Sequence, residues 1–318
     1  MRVIDCSGDP QQIGECTGEA LRLEIAEHIE LFPMQRWQEF DARLPDFLEA
    51  LQRHLPQVLE EIRATARGAG VEEREILRLN LPLFAAGLDP DTSGCTNFVF
   101  SGGRDGPLWG KNNDGCEPHR PVVARYVRST EGIPQVTFTF AGLLAITDGM
   151  NAEGVAVGHS SVGSQFQQSD RYVPIRLWAY ELLSRARTTS EFVRGMTEIP
   201  LRGKGYAATC VDAEGTAVGI DAACPLLQIR EPADGASGLH AVNCYQHPAL
   251  LHADRSVPVM VRPRMWMSRL AVVAPTRFLN QGQPAPISNS PARCSTIMAT
   301  SSVCAAMANH WVITASTP

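Results

Sequence analysis

The chain has 318 residues, a formal net charge of -6 and a pI near 5.8, which offers no electrostatic attraction to nucleic acid or anionic lipid. A hydrophobic share of 44% and a charged share of 19% describe a globular protein able to bury a core, away from the disordered extreme. No stretch reaches the roughly 18 uninterrupted apolar residues of a membrane span, and Met1 to Asp5 do not open a secretory signal, so neither nucleic acid nor a membrane is expected as a partner.

In chain order, Ile13, Leu21, Ile25, Ile29 and Phe32 recur at spacings of three, four or their sums, which predicts a helix from about Ile13 to Phe32. A second helical stretch runs from about Pro45 to Ala66, Gly68-Ala69-Gly70 stops it, and a short third helix covers Glu72 to Leu79. The first ninety residues thus read as mainly helical. From Cys95 onward the pattern changes to short Val-, Thr-, Phe- and Ile-rich segments: Thr96 to Phe100, Leu108 to Lys111, Val122 to Val127, Gln135 to Phe140, Leu143 to Thr147 and Val155 to Val157. Turn residues such as Gly102-Gly103 separate them, so they read as antiparallel strands. Helices are expected over Ile175 to Arg187 and Glu191 to Thr197, then a strand pair over Tyr206 to Val211 and Thr216 to Ile220. Strands, helices and strands in this succession give α+β layers. After Asp254 no Asp, Glu or Lys occurs and no periodicity is evident. This segment is either a low-complexity tail or the product of a reading frame lost near Ser256 to Val259.

The nine cysteines are scattered, odd in number and never spaced Cys-x-x-Cys, so neither a structural zinc site nor a disulfide framework is expected and a reducing cytoplasm is the expected location. The absence of a Walker loop, a His-Glu-x-x-His pair or a dinucleotide fingerprint leaves no cofactor or metal implied.

Chemistry concentrates at Ser93-Gly94-Cys95-Thr96-Asn97-Phe98, where helices give way to strands. Gly94 has no side chain, so the Cys95 thiol can reach the Gly94 carbonyl and exchange the amide for a thioester. Water then releases an N-terminal Cys95 whose α-amine, with a reference pKa near 8, serves as base for its own thiol. Taken alone, Cys95 is equally explained as a small buried hydrophobe at a strand start. Gly158-His159-Ser160-Ser161-Val162-Gly163 lacks the spacing of a serine nucleophile elbow.

Five segments in one order resemble the penicillin acyltransferase-like family, the C45 peptidases, over about residues 8 to 255. They are Gly8-Asp9-Pro10-Gln11-Gln12-Ile13-Gly14 with Gly18-Glu19-Ala20; Ala66 to Val71 with Ile76 to Asn80; Gly94-Cys95-Thr96; Trp109-Gly110-Lys111-Asn112-Asn113-Asp114; and Gly149-Met150-Asn151 through Val157. The resemblance implies a four-layer αββα N-terminal-nucleophile hydrolase fold, division into an α chain (1–94) and a β chain whose core is 95–255, and hydrolysis or transfer at carbon-nitrogen bonds. Residues 256–318 are the atypical tail. By the same resemblance Cys95 is the nucleophile, Asp114 holds its amino group and Asn243 donates to the oxyanion. Thr96, through its backbone N–H, and Asn151 are weaker candidates for positioning, Asn151 being as well explained by turn chemistry. Cys244 stands where the family commonly has His, Asp221 reads as structural, and none of Arg262, Arg264 and Arg269 matches the family's late arginine motif. The implied partners are a small acyl-amide or acyl-thioester substrate and the chain's own α segment. The competing reading is an inactive relative that keeps the scaffold.

Overall fold

A computed structural model describes residues 1–34, 37–81, 95–103, 106–114, 122–145, 148–164, 166, 169–203 and 205–254, with the backbone of 297–298 and 308–314. The chain opens with strand β1 (Arg2–Gly8), where the sequence reading expected mainly helix; Ile4 and Cys6 alternate inward along it. Asp9 then caps helix α1 (Pro10–Ala20) in a reciprocal capping box with Gln12: each backbone N–H is taken by the other's side chain, at 2.8 and 3.0 Å. The predicted helix over 13–32 is broken at Leu21 into α1 and α2 (Arg22–Leu31). The next stretch starts earlier than expected, as α3 (Trp37–His54), and Pro56 opens α4 (Pro56–Ala69), which suits a residue without an N–H at a first helical turn. Gly70 ends α4 in the left-handed conformation, and α5 (Glu73–Asn80) follows close to its expected place.

The strands are β2 (Cys95–Phe100), β3 (Leu108–Asp114), β4 (Val122–Ser129), β5 (Gln135–Phe140), β6 (Asp148–Asn151), β7 (Ala156–Ser161) and β8 (Val173–Pro174). Helices α6 (Ile175–Leu183) and α7 (Thr189–Met196) come next, then β9 (Leu201–Arg202), β10 (Tyr206–Val211), β11 (Ala217–Ala222), β12 (Leu227–Arg230), β13 (Gly238–Val242), β14 (Ile297–Met298) and β15 (Ala308–Thr314). The strand expected over 143–147 does not form in its described part, where 141–145 turn instead. The reason lies in α5. Asn80 Oδ1 accepts the N–H groups of Leu144 and Ala145 at 2.6 and 2.9 Å while its Nδ2 donates to Gly142 O, so a side chain takes the place of a neighbouring strand.

One sheet has eight strands in the order β1-β4-β5-β6-β7-β10-β11-β12, antiparallel except that β1 runs parallel to β4; the other has five, β13-β2-β3-β15-β14. The two stack face to face. Trp109 of β3 lies against β7 at Gly158, where a β-carbon would collide with the indole. Asn97 of β2 reaches Ser160 on β7 and Thr209 on β10. The helices cover the outer face of the larger sheet, pinned there by a buried cluster in which Arg125 of β4 meets Glu61 of α4 and Tyr180 of α6. This is the α+β layering expected from the succession of elements.

Two expectations need correction. Cys6 on β1 and Cys16 on α1 are joined as a disulfide across ten residues, although the spacing of the cysteines suggested none; the turn at Gly8 and Asp9 folds α1 back beside β1 and brings them together. Structural disulfides persist mainly in oxidising compartments, which sets this pair against a reducing cytoplasm. Second, the tail supplies β15, seven residues paired antiparallel to β3 from Ala308 opposite Asp114 to Thr314 opposite Leu108. Its His310-Trp311-Val312-Ile313-Thr314 run has the aromatic and β-branched character that strands favour. Among the described residues no helix is long and apolar enough to cross a membrane.

Candidate active site

Cys95 is the first residue of β2 and is buried, 7% exposed. Its two neighbours in the five-stranded sheet determine what touches it. On one side the antiparallel register with β3 sets Asn113 directly opposite, and the thiol donates to Asn113 Oδ1 at 3.3 Å. On the other side β13 pairs Val242 with Thr96, so the chain leaves the sheet at Asn243 beside the start of β2. Asn243 Oδ1 accepts the Cys95 backbone N–H at 2.5 Å, and Asn243 Nδ2 donates to the Ser161 carbonyl at 2.7 Å. The nitrogen and sulfur of one cysteine are therefore each held by an asparagine amide. The turn beyond Asn243 is fixed from below: buried Asp221 accepts the N–H groups of Gln246 and His247, both at 2.7 Å, and receives Arg230 Nε at 3.2 Å. Its reading as a structural residue fits this geometry.

A second layer of polar groups joins the sheets under the cysteine. Asn97 donates to Ser160 Oγ, Ala207 O and Ala241 O and accepts from Thr209 Oγ1, all at 2.8 to 3.4 Å. Ser160 is thus a buried link between sheets. Lys111 Nζ donates to the His159 carbonyl. Asp148 accepts both the backbone N–H and the Nδ1 of His159, at 3.0 and 3.2 Å, and the imidazole stacks on Tyr206 with centroids 4.9 Å apart. Burial would push the Asp148 carboxyl upward, but the charge of Lys111 and the contacts with His159 outweigh it and hold it below the usual carboxylate range. Burial, then the charge of Arg176, lowers His159 to about 4. The ring is neutral at pH 7, and because an ionised Asp148 only accepts, Nδ1 carries the proton.

The sequence candidates divide under this geometry. Cys95 and Asn243 meet. Thr96 follows the nucleophile on β2, opposite Asn112 of β3. Asp114 ends β3 one position past Asn113, opposite Ala308. Gly94, and with it the bond to Cys95, lies outside the described residues, as do Arg262, Arg264 and Arg269. Asn151 is employed elsewhere: Nδ2 donates to Leu183 O and Ala186 O, at 2.8 and 2.7 Å, and Oδ1 accepts from Glu153 N and Val155 N, at 3.1 and 3.0 Å. All four hydrogen-bonding positions of its amide are used to close the β6–β7 hairpin and clamp it to the end of α6, in keeping with the turn-chemistry reading. Sequence reasoning did not find Asn113 or Ser161. Period-two register from the Cys95 strand would have pointed to Asn113; Ser161 is brought in by the other sheet and leaves no local signal.

A cysteine opening an inner strand of two stacked sheets, with its backbone nitrogen held by a side chain, is the arrangement of the N-terminal-nucleophile hydrolases. The particular likeness in sequence is to acyl-coenzyme A:6-aminopenicillanic-acid-acyltransferase, 40 kDa form, of Emericella nidulans, with 29% identity over 168 residues covering 50% of this chain and 46% of the relative. The resemblance read from the five motifs is borne out by that match, and the chain spans about half the length of the curated relative. No family profile matches the chain. Among solved structures, the Caenorhabditis elegans N-acylethanolamine-hydrolyzing acid amidase ortholog aligns with TM-score 0.40 at 14% identity, over 48% of this chain and 71% of its own. Penicillin V acylase from Agrobacterium tumefaciens aligns with TM-score 0.31 at 20% identity, over 43% and 49%. At that level of overlap neither bears on substrate or mechanism.

Proposed function

We propose that the chain is a self-processing cysteine amidohydrolase or acyltransferase whose nucleophile is Cys95. The observation that carries this reading is the double hold on one residue, Asn243 on its nitrogen and Asn113 on its sulfur. A buried structural cysteine has no use for it. In processing, the thiol adds to the Gly94 carbonyl, the Gly94–Cys95 amide opens with the nitrogen taking the proton, and water hydrolyses the thioester to leave Gly94 as a carboxylate. The α segment 1–94 stays bound, because α1, α4 and β1 are built into the core.

In turnover the freed α-amine takes the thiol proton and the sulfur attacks an acyl carbonyl. The tetrahedral oxyanion is met by Asn243, whose described bonds use only one of its two amide protons. The carbon-nitrogen bond breaks, the amine departs with the proton, and water or a second amine resolves the thioester on Cys95. Asp114 is assigned to the nucleophile's amino group, and the Thr96 N–H is a second candidate donor. The substrate class is a small acyl amide, or an acyl thioester as donor, and the reaction proposed needs neither cofactor nor metal.

The test is a quenched-reaction mass spectrum of protein mixed with simple N-acyl donors. An acyl adduct on the peptide beginning at Cys95, absent from Cys95→Ala, is expected. Turnover by Cys95→Ala, or an adduct on another residue, would remove Cys95 from the mechanism.

A further inference from the structure

Asn243 is oriented by the Ser161 carbonyl, and the hydroxyl of that same Ser161 accepts Nη2 of Arg176 at 2.6 Å. Arg176 lies in the first turn of α6, whose N-terminus has Pro174 as its N-cap and no side-chain cap. Its side chain is only part-buried and so remains open to a ligand. Three hydrogen bonds, Cys95 to Asn243 to Ser161 to Arg176, link the guanidinium to the nucleophile. In the register of β7 and β10, Ser161 faces Tyr206, a fully buried side chain whose hydroxyl has no hydrogen-bond partner. Burial pulls Arg176 below the usual guanidinium range, and the acidic groups that oppose this are Asp148, Tyr206 and Cys95. Of these, Asp148 already accepts two hydrogen bonds from His159. A cation in such a place gains from an incoming anion, since burying charge is costly unless it is paired.

Resting on the Cys95 reading, we infer that Arg176 receives a carboxylate carried by the leaving amine, so that the preferred substrates are N-acyl amino acids. The span of three hydrogen bonds requires the anion to sit only a few bonds from the scissile carbonyl, as an α-carboxylate does. Arg176 presents the paired donors that recognise a carboxylate in two-point fashion, and Lys cannot reproduce that fork.

The experiment compares kcat/KM for a matched series of N-acylglycines and N-acylglycinamides, from acetyl to palmitoyl, in the wild type, Arg176→Gln and Arg176→Lys. The wild type should favour the glycines, and Arg176→Gln should lower the glycine-to-glycinamide ratio about 10- to 100-fold, chiefly through KM. Arg176→Lys should restore part of that ratio. Cleavage ahead of Cys95 in each variant serves as the control for folding. An equal loss for both series would make Arg176 a structural residue, and a wild-type preference for the amides, or hydrolysis of no acylglycine at all, would likewise overturn the inference. Acyl-enzyme formation at Cys95 reports on the underlying reading separately.

Discussion

Two asparagines, Asn151 and Asn243, both sit in family-like motifs, yet the fold uses them differently. Asn151 has both amide protons and both lone-pair positions engaged with backbone groups of the β6–β7 hairpin and the end of α6. Asn243 spends one proton on Ser161 and one acceptor position on Cys95. Counting what each amide has left separates scaffold from site better than the motifs that contain them. The first holds the fold, and the second has capacity to meet a transition state.

That contrast can be broken by matched substitutions. Asn151→Ala strands two carbonyls and two N–H groups in a buried hairpin, so stability should fall by about 4 kcal/mol, seen in urea unfolding, while protein that remains folded keeps its kcat/KM. Asn243→Ala should do the reverse, lowering turnover on the order of 10²-fold as for the loss of one oxyanion donor with little change in the unfolding midpoint. If the two variants lose stability and turnover in parallel, the distinction fails.

The buried polar layer gives a pH test. His159 is lowered from 6.5 to about 4 in the folded state, with burial the leading cause, so between those values the unfolded chain binds the extra proton. Its contribution to stability is complete above pH 6.5 and is lost as pH falls toward 4. His240, also lowered to about 4, has the same sign. Unfolding midpoints should decline from pH 7 to pH 4.5, less steeply in His159→Gln; a slope unchanged by that substitution would contradict the assignment. The smallest effect belongs to Asn113→Ala, which removes one neutral acceptor from the thiol and should slow alkylation-sensitive turnover by about fivefold.

Much of this arrangement could be read locally. Cys95 stands where helical periodicity ends and strand alternation begins, and Asn243 follows a matching segment, so both were legible from neighbouring residues. Asn113 was passed over because the motif directed attention to Asp114, although the two-residue period of a strand places Asn113 opposite Cys95. Ser161 and Arg176 meet only because α6 returns across the end of β7, which is a tertiary fact. The Cys6–Cys16 bond depended on β1, itself too short and too exposed on one face to announce a strand. The Leu143 to Thr147 run had strand composition, and the side chain of a distant residue, Asn80, turned its described part into a loop.

The central claim is that Cys95 becomes a chain terminus. Intact-mass measurement of freshly purified and incubated protein tests it most directly. The account predicts two fragments, one ending at Gly94 and one beginning at Cys95, and a single uncut mass for Cys95→Ala. A wild-type chain that stays whole yet turns over acyl amides would contradict it.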